Sequence, residues 1–406
     1  MKIINGGITS PKGYQAAGFA CGIKARKKDI SIIVSDVPCH VAAVFTTNVV
    51  KAAPVLYNQS VYHTGNDIRC ILTNSGNANA CTGEVGMENA RTMTLLASQS
   101  LGISPNEVMV NSTGVIGVQL PMEKIENGIK SIAARLGKDQ QSADDAAEAI
   151  MTTDTFPKVV CVQTEIGGKI VTISAIAKGS GMIHPNMATM LSFIATDVHL
   201  DAELFRSLLS ESIVDSYNML SVDGDTSTND TVIALANGMA ENEPLTKESA
   251  DYEAFAQAFH FVNREIAKLI AKDGEGASKL LIAHVTNAKT KEDARRIALS
   301  VIKSSLVKAA FFGQDANWGR VLCAMGYSGA AFDPNKAVLH FESAAGSILL
   351  YDHGVPIKFD EAKALKILSE NEIHIRIDMN DGDFEAESFG CDLTYDYVKI
   401  NGEYRS

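Results

Sequence analysis

A threonine near the middle of the chain, Thr189, has neighbours that suit a self-cleaving nucleophile. It directly follows Ala188, at the end of the segment KGSGMIHPNMA (residues 178–188). A threonine hydroxyl needs a base to take its proton, and a free α-amine on the same residue is one solution. That amine has a reference pKa of about 7.7 to 8.0, so a substantial neutral fraction exists near neutral pH. Cleavage of the bond before Thr189 would create such an amine.

The residues before Thr189 are compatible with cleavage. The small side chain of Ala188 leaves room for the hydroxyl to attack its carbonyl in an N-to-O acyl shift. Gly179 and Gly181 would let the upstream segment bend and then retreat after the cut. The competing interpretation is that Thr189 merely begins a half-buried strand, because β-branched residues are enriched in strands. Composition alone favours this second interpretation.

Five polar, glycine-containing clusters could form functional loops. They are NSTGVIG (111–117), KGSGMIHPNMATM (178–190), SVDGDTSTNDT (221–231), AKDGEGASK (271–279) and FGQDANWGR (312–320). Each could equally be an ordinary tight turn, since loops collect Gly, Asn, Asp and Ser for conformational reasons.

Known ligand-binding patterns find little support in these clusters. A phosphate-binding GxxxxGK[ST] is missing, and so is a GxGxxG between a strand and a helix. The acidic segment 221–231 lacks the ligand register of a calcium loop. His184 is not part of a recognisable Ser-His-Asp set, so it is not expected to act as a base. We therefore expect neither a metal ion nor a cofactor.

Overall composition indicates a globular protein of two or three domains. The chain has 406 residues, 46% hydrophobic and 21% charged. A net charge of −12 argues against nucleic acid or an anionic membrane as the main partner. The seven cysteines lack CxxC spacing, which favours reduced and mostly buried thiols. No secretory signal is evident and no apolar run is long enough to span a membrane, so a cytoplasmic location is expected.

Helical and strand patterns alternate in blocks along the chain. The N-terminal segment 1–85 is rich in strand patterns, and a hairpin is predicted around Gly167 and Gly168. Predicted helices begin at 87, 121, 142, 201, 251 and 290, the second ending at a Gly137 cap and the last, capped by Thr290, continuing to 312. Strand patterns return in the C-terminal segment 332–406, including EIHIRIDMN (372–380) and CDLTYDYVKI (391–400). Such blocks favour a layered α/β or α+β fold over a regular Rossmann alternation.

Taken together, the quoted blocks resemble the ornithine acetyltransferase family, also called glutamate N-acetyltransferases, of the arginine pathway. The matching segments run in order from NGGITSPKGYQAAG (5–18) to YVKINGEYRS (397–406). The resemblance implies an αββα layered sandwich of the DmpA aminopeptidase type, with a smaller second domain. It also implies self-cleavage at Ala188–Thr189 into an α chain (1–188) and a β chain (189–406). These chains would share the main sandwich and assemble as an α2β2 heterotetramer.

The activity implied by the resemblance is acetyl transfer from N2-acetyl-L-ornithine to L-glutamate. Thr189 would carry the acetyl group between the two substrates in a ping-pong reaction. Thr113 and Gly114 would form an oxyanion hole from a hydroxyl and a backbone N–H. Lys178 would bind the substrate α-carboxylate, and Thr152 would add a hydroxyl contact.

The remaining residues implied by the resemblance lie towards the end of the chain. Glu275 would pair with the ornithine side-chain ammonium, and Asn401 and Ser406 would bring the C-terminal tail to the substrate. Two alternatives stay open at this point. One is an N-terminal-nucleophile amidase or aminopeptidase of the same fold, in which water accepts the acyl group. The other is a non-enzymatic nucleotide-binding or regulatory protein. Use of acetyl-CoA as a second acetyl donor is also undecided by the sequence.

Overall fold

The described chain divides into two compact units. A computed structural model describes residues 1–184 and 190–403. Unit 1 comprises Met1–Gly179, Asn186–Ile213 and Thr226–Ile266, and unit 2 comprises Ser180–Pro185, Val214–Asp225 and Ala267–Ser406. Unit 2 is the smaller, as the resemblance implied.

Both units are built from strands and helices. The strands of the described residues are β1 (Lys2–Ile3), β2 (Tyr14–Phe19), β3 (Ile30–Phe45), β4 (Ile68–Asn77), β5 (Val108–Val115), β6 (Lys158–Ile166), β7 (Lys169–Lys178), β8 (Leu191–Thr196), β9 (Leu220–Ser221), β10 (Thr231–Ala236), β11 (Leu280–Ala288), β12 (Val338–Ser343), β13 (Gly346–Asp352), β14 (Val355–Pro356), β15 (Glu372–Asp378) and β16 (Phe384–Cys391). The α-helices are α1 (Ala53–His63), α2 (Gly83–Leu101), α3 (Met122–Ile129), α4 (Gln140–Ala149), α5 (Ala202–Val214), α6 (Tyr252–Lys272), α7 (Lys291–Lys303), α8 (Ser305–Phe312), α9 (Trp318–Gly326), α10 (Glu361–Leu368) and α11 (Tyr395–Gly402).

The sheet of unit 1 folds back on itself through the long strand β3. Its order is β1-β6-β7-β8-β10-β3-β4-β5, with β2 also paired to β3. The start of β3 pairs with β2 and β4, and its end pairs with β10, with a register shift between Val34 and Cys39. Half A is therefore β1, β6, β7, β8, β10 and the end of β3. Half B is β2, the start of β3, β4 and β5.

Halves A and B face each other across a shared core. Ile33 and Ile71 of half B belong to one buried cluster with Phe193 and Ile233 of half A. Alternation along each strand sends the neighbouring residues to the outer faces. On half B, Leu72 packs there against residues of α2 and α3. Both faces of these strands are buried from water, and apolar residues are therefore favoured along them.

A second helical layer completes the αββα order of unit 1. Helix α5 reaches half A through Arg206, whose Nε donates to the carbonyl of Val41 at 3.5 Å. Helix α6 contacts α5 through the rings of Phe259 and Phe205, whose centroids lie 5.7 Å apart. Both phenylalanines are buried. The predicted layered fold is confirmed.

Unit 2 contains a seven-stranded sheet with order β14-β13-β12-β15-β11-β16-β9. Its core joins the sheet to helices α7, α8 and α10. Phe311 of α8 and Phe341 of β12 pack with ring centroids 4.9 Å apart. The strand-rich C-terminal segment predicted from the sequence is thus largely confirmed.

Several predicted local structures are present. Gly167 and Gly168 form the β6–β7 turn, both with positive φ, as a tight hairpin requires. Thr290 caps α7, its Oγ1 accepting the N–H of Asp293 at 3.1 Å. The cysteines are free, and Cys39, Cys70, Cys161 and Cys391 are buried. Within the described ranges, no helix has the length and apolar character to cross a bilayer.

Two predictions near the ends of helices were wrong. The helix predicted over 290–312 breaks at Ser304, because this residue takes an extended conformation and its Oγ accepts the N–H of Val307 as the cap of α8. The helix predicted over 121–137 ends at Ile129. Gly137 is not its cap, since it forms an isolated bridge with Ala16 instead.

One strand prediction was also wrong, and one helix was missed. The strand predicted for 391–400 ends at Cys391, after which Asp392 accepts the N–H groups of Ser278 and Lys279 at 2.8 and 3.0 Å. This side chain terminates the ladder, and α11 follows. In the strand-rich segment 1–85, α1 was not foreseen, although Pro54 occupies its first turn.

Candidate active site

Thr189, its neighbour Ala188 and the terminal Ser406 lie outside the described residues. The chain is described again from Met190, whose N–H donates to Oδ1 of Asp230 at 2.9 Å. The carbonyl of Met190 accepts the N–H of Thr231 at 3.1 Å. Strand β8 then pairs with β7 and β10, and all of its residues are buried, so the chain after Thr189 is a fully buried strand and not a half-buried one. The residue bonded to the proposed nucleophile is therefore held at two points.

The predicted oxyanion-hole residues lie at the end of β5, beside the end of the parallel strand β4. Thr113 is buried, and Gly114 has a φ of +133°. A Cβ at Gly114 would lie 2.3 Å from the carbonyl carbon of Gly76 and 2.5 Å from the nitrogen of Asn77. Glycine is needed here because of both the positive φ and the close approach of the β4 backbone. Its backbone can consequently turn sharply where a donor for an oxyanion is expected.

Asn229 ties this turn to the loop that contains Asp230. Its Nδ2 donates to the carbonyl of Ser112 at 2.8 Å and to that of Ala78 at 2.7 Å. The side chain is buried, so both hydrogen bonds are shielded from water. Within unit 1, the NSTGVIG turn is therefore connected to the part of the loop that begins at Thr226.

Substituting Gly114 by alanine is expected to cost about 1–3 kcal/mol of strain and to slow self-cleavage. The new methyl group would displace the β4 end and move the Gly114 N–H from its position. Urea unfolding and the fraction of chain cleaved over time measure the two effects. Gly117→Ala is the matched control, because Gly117 also has a positive φ of +80° but open space at its Cβ. Equal cleavage rates for the two variants would contradict the prediction.

A buried carboxylate, Asp154, joins two residues that the resemblance placed at the substrate. Its Oδ2 accepts the N–H of Thr152 at 2.9 Å. Its Oδ1 accepts the N–H of Gly179, next to Lys178, at 2.7 Å, and pairs with Lys158 Nζ, also at 2.7 Å. Burial opposes ionisation, but the charges of Lys178 and Lys158 lower the pKa of Asp154 to about 2. Thr152 and Lys178 are thus brought together by an ionised acid.

Lys178 also lies close in the sheet to the chain that follows Thr189. It is the last residue of β7 and stands opposite Leu191 of β8 in the antiparallel ladder. The side chain is buried. Because the Lys178 ammonium is buried, an anionic group of a substrate can pair with it only if that group also enters the protein.

In unit 2, Glu275 contacts Asn401 and Gly181. Asn401 Nδ2 donates to Glu275 Oε2 at 2.8 Å, so α11 reaches this carboxylate. A Cβ on Gly181 would lie 2.2 Å from the same oxygen, which only glycine avoids. The N–H of Glu275 donates to the carbonyl of Ser180 at 3.0 Å. Within unit 2, Ser180 and Gly181 therefore contact the 271–279 cluster at Glu275.

The polar side chains of the other clusters support backbone structure. Asp223 accepts the N–H groups of Met182 and Ile183 at 2.6 and 2.9 Å. His184 lies 3.3 Å from Ser221 Oγ through Nδ1, and burial, with the nearby Lys303, lowers its pKa to about 4. His184 is therefore neutral near pH 7. Across residues 1–184 and 190–403, no cluster of three metal-binding side chains is found.

The ArgJ family model matches residues 15–406, nearly the whole chain. The chain belongs to the ArgJ family. Curated relatives named arginine biosynthesis bifunctional protein ArgJ agree over the full length. The protein from Symbiobacterium thermophilum is 53% identical over 100% of both chains. That from Caldanaerobacter subterraneus is 50% identical, again over 100% of both, and that from Thermotoga neapolitana is 53% identical over 98% of this chain and 99% of its own.

This ArgJ-family chain is accordingly an acyltransferase of arginine biosynthesis. Two solved structures are also similar to it. ArgJ from Bacillus halodurans is 44% identical, covering 46% of this chain and 96% of its own, with a TM-score of 0.45. Ornithine acetyltransferase from Mycobacterium tuberculosis, complexed with ornithine, is 37% identical, covering 46% and 98%, with a TM-score of 0.42.

Three residues of the candidate site were missed in the sequence: Asp154, Asn229 and Asp230. Asp154 lies in MTTDT (151–155), and Asn229 and Asp230 lie in SVDGDTSTNDT (221–231). The local sequence does not show whether an aspartate accepts hydrogen bonds from distant backbone groups or is simply exposed on a loop. Their distant partners lie 25 positions away for Asp154, 40 for Asp230 and up to 151 for Asn229, and only folding brings these groups together.

Proposed function

We propose that the chain cleaves itself between Ala188 and Thr189 and that Thr189 then transfers acetyl from N2-acetyl-L-ornithine to L-glutamate. The observation that supports this most is the anchoring of Met190 by Asp230, which fixes the residue bonded to Thr189. A nucleophile must be held in a near-attack position to react. Lys178, opposite Leu191, supplies a cation near the same strand end.

Self-cleavage begins when the Thr189 hydroxyl attacks the carbonyl carbon of Ala188 and loses its proton. The tetrahedral intermediate collapses with rupture of the C–N bond, and the departing nitrogen takes up that proton, giving an ester on Thr189 and its free amine. Water then hydrolyses the ester, and Ala188 keeps the new carboxylate. The hydroxyl of Thr113 and the N–H of Gly114 are proposed to stabilise the oxyanion, a role worth about 10²–10³ in rate per donor.

Acetyl transfer repeats the same chemistry on a substrate. The Thr189 amine accepts the hydroxyl proton as the oxygen attacks the acetyl carbonyl. Ornithine leaves with that proton, and the acetyl group remains as an ester on Thr189. The amine of glutamate then attacks this ester, giving N-acetyl-L-glutamate and restoring the hydroxyl. Water must be excluded while the ester waits for glutamate.

Substrate recognition is proposed to use the α-carboxylate that N2-acetyl-L-ornithine and L-glutamate share and the side-chain ammonium that distinguishes them. Lys178 binds the α-carboxylate that both carry, and Thr152 adds a hydrogen bond. Glu275 pairs with the side-chain ammonium that only ornithine carries. Asn401, which already contacts Glu275, and Ser406 contribute from the tail.

Glu275→Gln is expected to raise the KM for N2-acetyl-L-ornithine by about tenfold or more. A charge-assisted hydrogen bond to the ornithine ammonium contributes roughly 1.5–3 kcal/mol, which the neutral amide cannot supply in full. The KM for glutamate, which lacks that ammonium, should change much less and serves as the internal control. Steady-state kinetics with each substrate varied in turn give both values. Equal changes in the two would contradict the assignment.

Further parts of the proposal concern assembly and the second donor. The α and β chains are proposed to remain associated as an α2β2 heterotetramer in the cytoplasm. Strands β8 and β10, which follow Thr189, pair with β7 and β3, which precede it, and this supports association after the cut. Because relatives are named bifunctional, acetyl-CoA is proposed as a second acetyl donor.

The decisive experiment incubates the cleaved protein with N2-acetyl-L-ornithine, with and without L-glutamate. Ornithine release beyond one equivalent per site should depend on glutamate, and N-acetyl-L-glutamate should form in equal amount. Release that continues at the same rate without glutamate would instead identify an amidase of the same fold. Adding acetyl-CoA in place of acetylornithine tests the second donor.

A further inference from the structure

Asp230 is a buried carboxyl whose two oxygens differ in their hydrogen bonding. Its side chain is 2% exposed. Oδ1 accepts the N–H of Met190 at 2.9 Å. Oδ2 is enclosed with no hydrogen-bond partner among the described residues. A carboxylate with an unpaired oxygen in an apolar site is strongly disfavoured, whereas a protonated carboxyl is tolerated.

The groups around Asp230 do not offset this burial. Lys178 is the cation that acts on it, and the nearby Thr46 hydroxyl and the backbone groups of Met190 and Ser227 also favour its ionised form. The Thr46 hydroxyl donates its proton elsewhere, to the carbonyl of Ser227 at 2.8 Å. Burial outweighs these influences and raises the pKa of Asp230 well above its ordinary value.

The balance of charge around Lys178 follows from the state of Asp230. The second acid near Lys178, Asp154, is ionised and forms its ion pair with Lys158. Among the described residues, Lys158 and Lys178 therefore share the one ionised acid Asp154 when Asp230 is neutral. One positive charge then remains uncompensated.

We propose that Asp230 is a positioning residue that holds Met190, the residue bonded to Thr189, and leaves the Lys178 ammonium for a substrate carboxylate. The proposal rests on the function proposed above. A permanently ionised Asp230 would compete with that carboxylate for the cation. The neutral acid keeps its hydrogen-bond acceptor for the Met190 N–H without adding negative charge.

Two variants separate positioning from charge. Asp230→Ala removes the acceptor for Met190, and we expect self-cleavage and kcat to fall tenfold or more. Asp230→Asn retains an acceptor oxygen without the ability to ionise, and we expect it to recover most of that loss. Asp144→Asn, at an exposed aspartate of α4, is the matched control and should behave as the unaltered protein. An asparagine variant as impaired as the alanine variant would overturn the proposal.

The pH dependence of binding supplies the readout that a structural role alone would not move. In the unaltered protein, ionisation of Asp230 at alkaline pH should compensate Lys178 and raise the KM for N2-acetyl-L-ornithine tenfold or more. Asp230→Asn should abolish this rise while the pH dependence of kcat, set by the Thr189 amine, persists. The same alkaline rise of KM in the asparagine variant would overturn the proposal.

Infrared spectroscopy tests the protonation without requiring turnover. The unaltered protein at neutral pH should show the carbonyl band of a protonated carboxyl, and Asp230→Asn should lack it. Identical bands in the two proteins would overturn the proposal even if acetyl transfer occurs. Conversely, if the band is present but the protein does not transfer acetyl, the proposed function is refuted and the protonation of Asp230 is not.

Discussion

Replacing Thr189 by valine is expected to leave a single chain of 43.4 kDa that transfers no acetyl group. Valine keeps the branched shape of threonine but lacks the hydroxyl, so neither the acyl shift at Ala188 nor attack on the substrate can occur. Loss of a nucleophile typically lowers kcat by several orders of magnitude. A denaturing gel and mass spectrometry report the cleavage, and ornithine release reports the transfer.

Serine at the same position provides the matched comparison. Thr189→Ser retains the hydroxyl, so it should still cleave and turn over, although more slowly because the methyl group that orients the oxygen is lost. The unaltered protein should give fragments of residues 1–188 and 189–406. Full activity from an uncut chain, or from the valine variant, would refute both the cleavage and the nucleophile.

Asp154→Asn is expected to destabilise the protein by about 3–5 kcal/mol, because it leaves the ammonium of Lys158 buried without its counter-charge. Lys158 is fully buried and lies 2.7 Å from Asp154 Oδ1. Replacing both residues, as Asp154→Leu with Lys158→Met, removes the unpaired charge and should recover much of the loss. Urea unfolding of Asp154→Leu, Lys158→Met and the double variant measures this coupling.

An exposed ion pair gives the control for the Asp154 result. Lys138 and Asp36 lie 2.8 Å apart with side chains 60% and 29% exposed. Because solvent screens such pairs, Asp36→Asn should cost less than about 1 kcal/mol. If Asp154→Asn cost no more than this, the ion pair with Lys158 would not be a major source of stability.

The stability supplied by Asp154 should also depend on pH in a defined direction. Its pKa is lowered to about 2 in the folded protein, against about 3.9 in the unfolded chain. The unfolded state therefore binds the proton first, and about 2 kcal/mol of stability present above pH 4 should disappear as the pH falls towards 2. The Asp154→Asn variant should lack this contribution. A variant with an unchanged acid limb would show that other carboxyls account for it.

Much of the fold could be predicted from local patterns. Paired glycines with β-patterned flanks predicted the β6–β7 hairpin, and Thr290 predicted the start of α7, because these signals act through neighbouring residues. The predictions failed where a distant group decides the outcome. The final predicted strand stops because Asp392 bonds to Ser278 and Lys279 more than a hundred positions earlier.

The sequence by itself determined the family, the layered fold class and the candidates Thr113, Gly114 and Lys178, since these depend on residue types in a fixed order. The tertiary structure alone decided which acids support them. Asp154 bonds to Gly179, 25 positions away, and Asp230 to Met190, 40 positions away. It also decided their charge, because ionisation depends on burial and on the cations that folding brings near. Neither the burial of an aspartate nor the cations near it can be read from its place in the sequence.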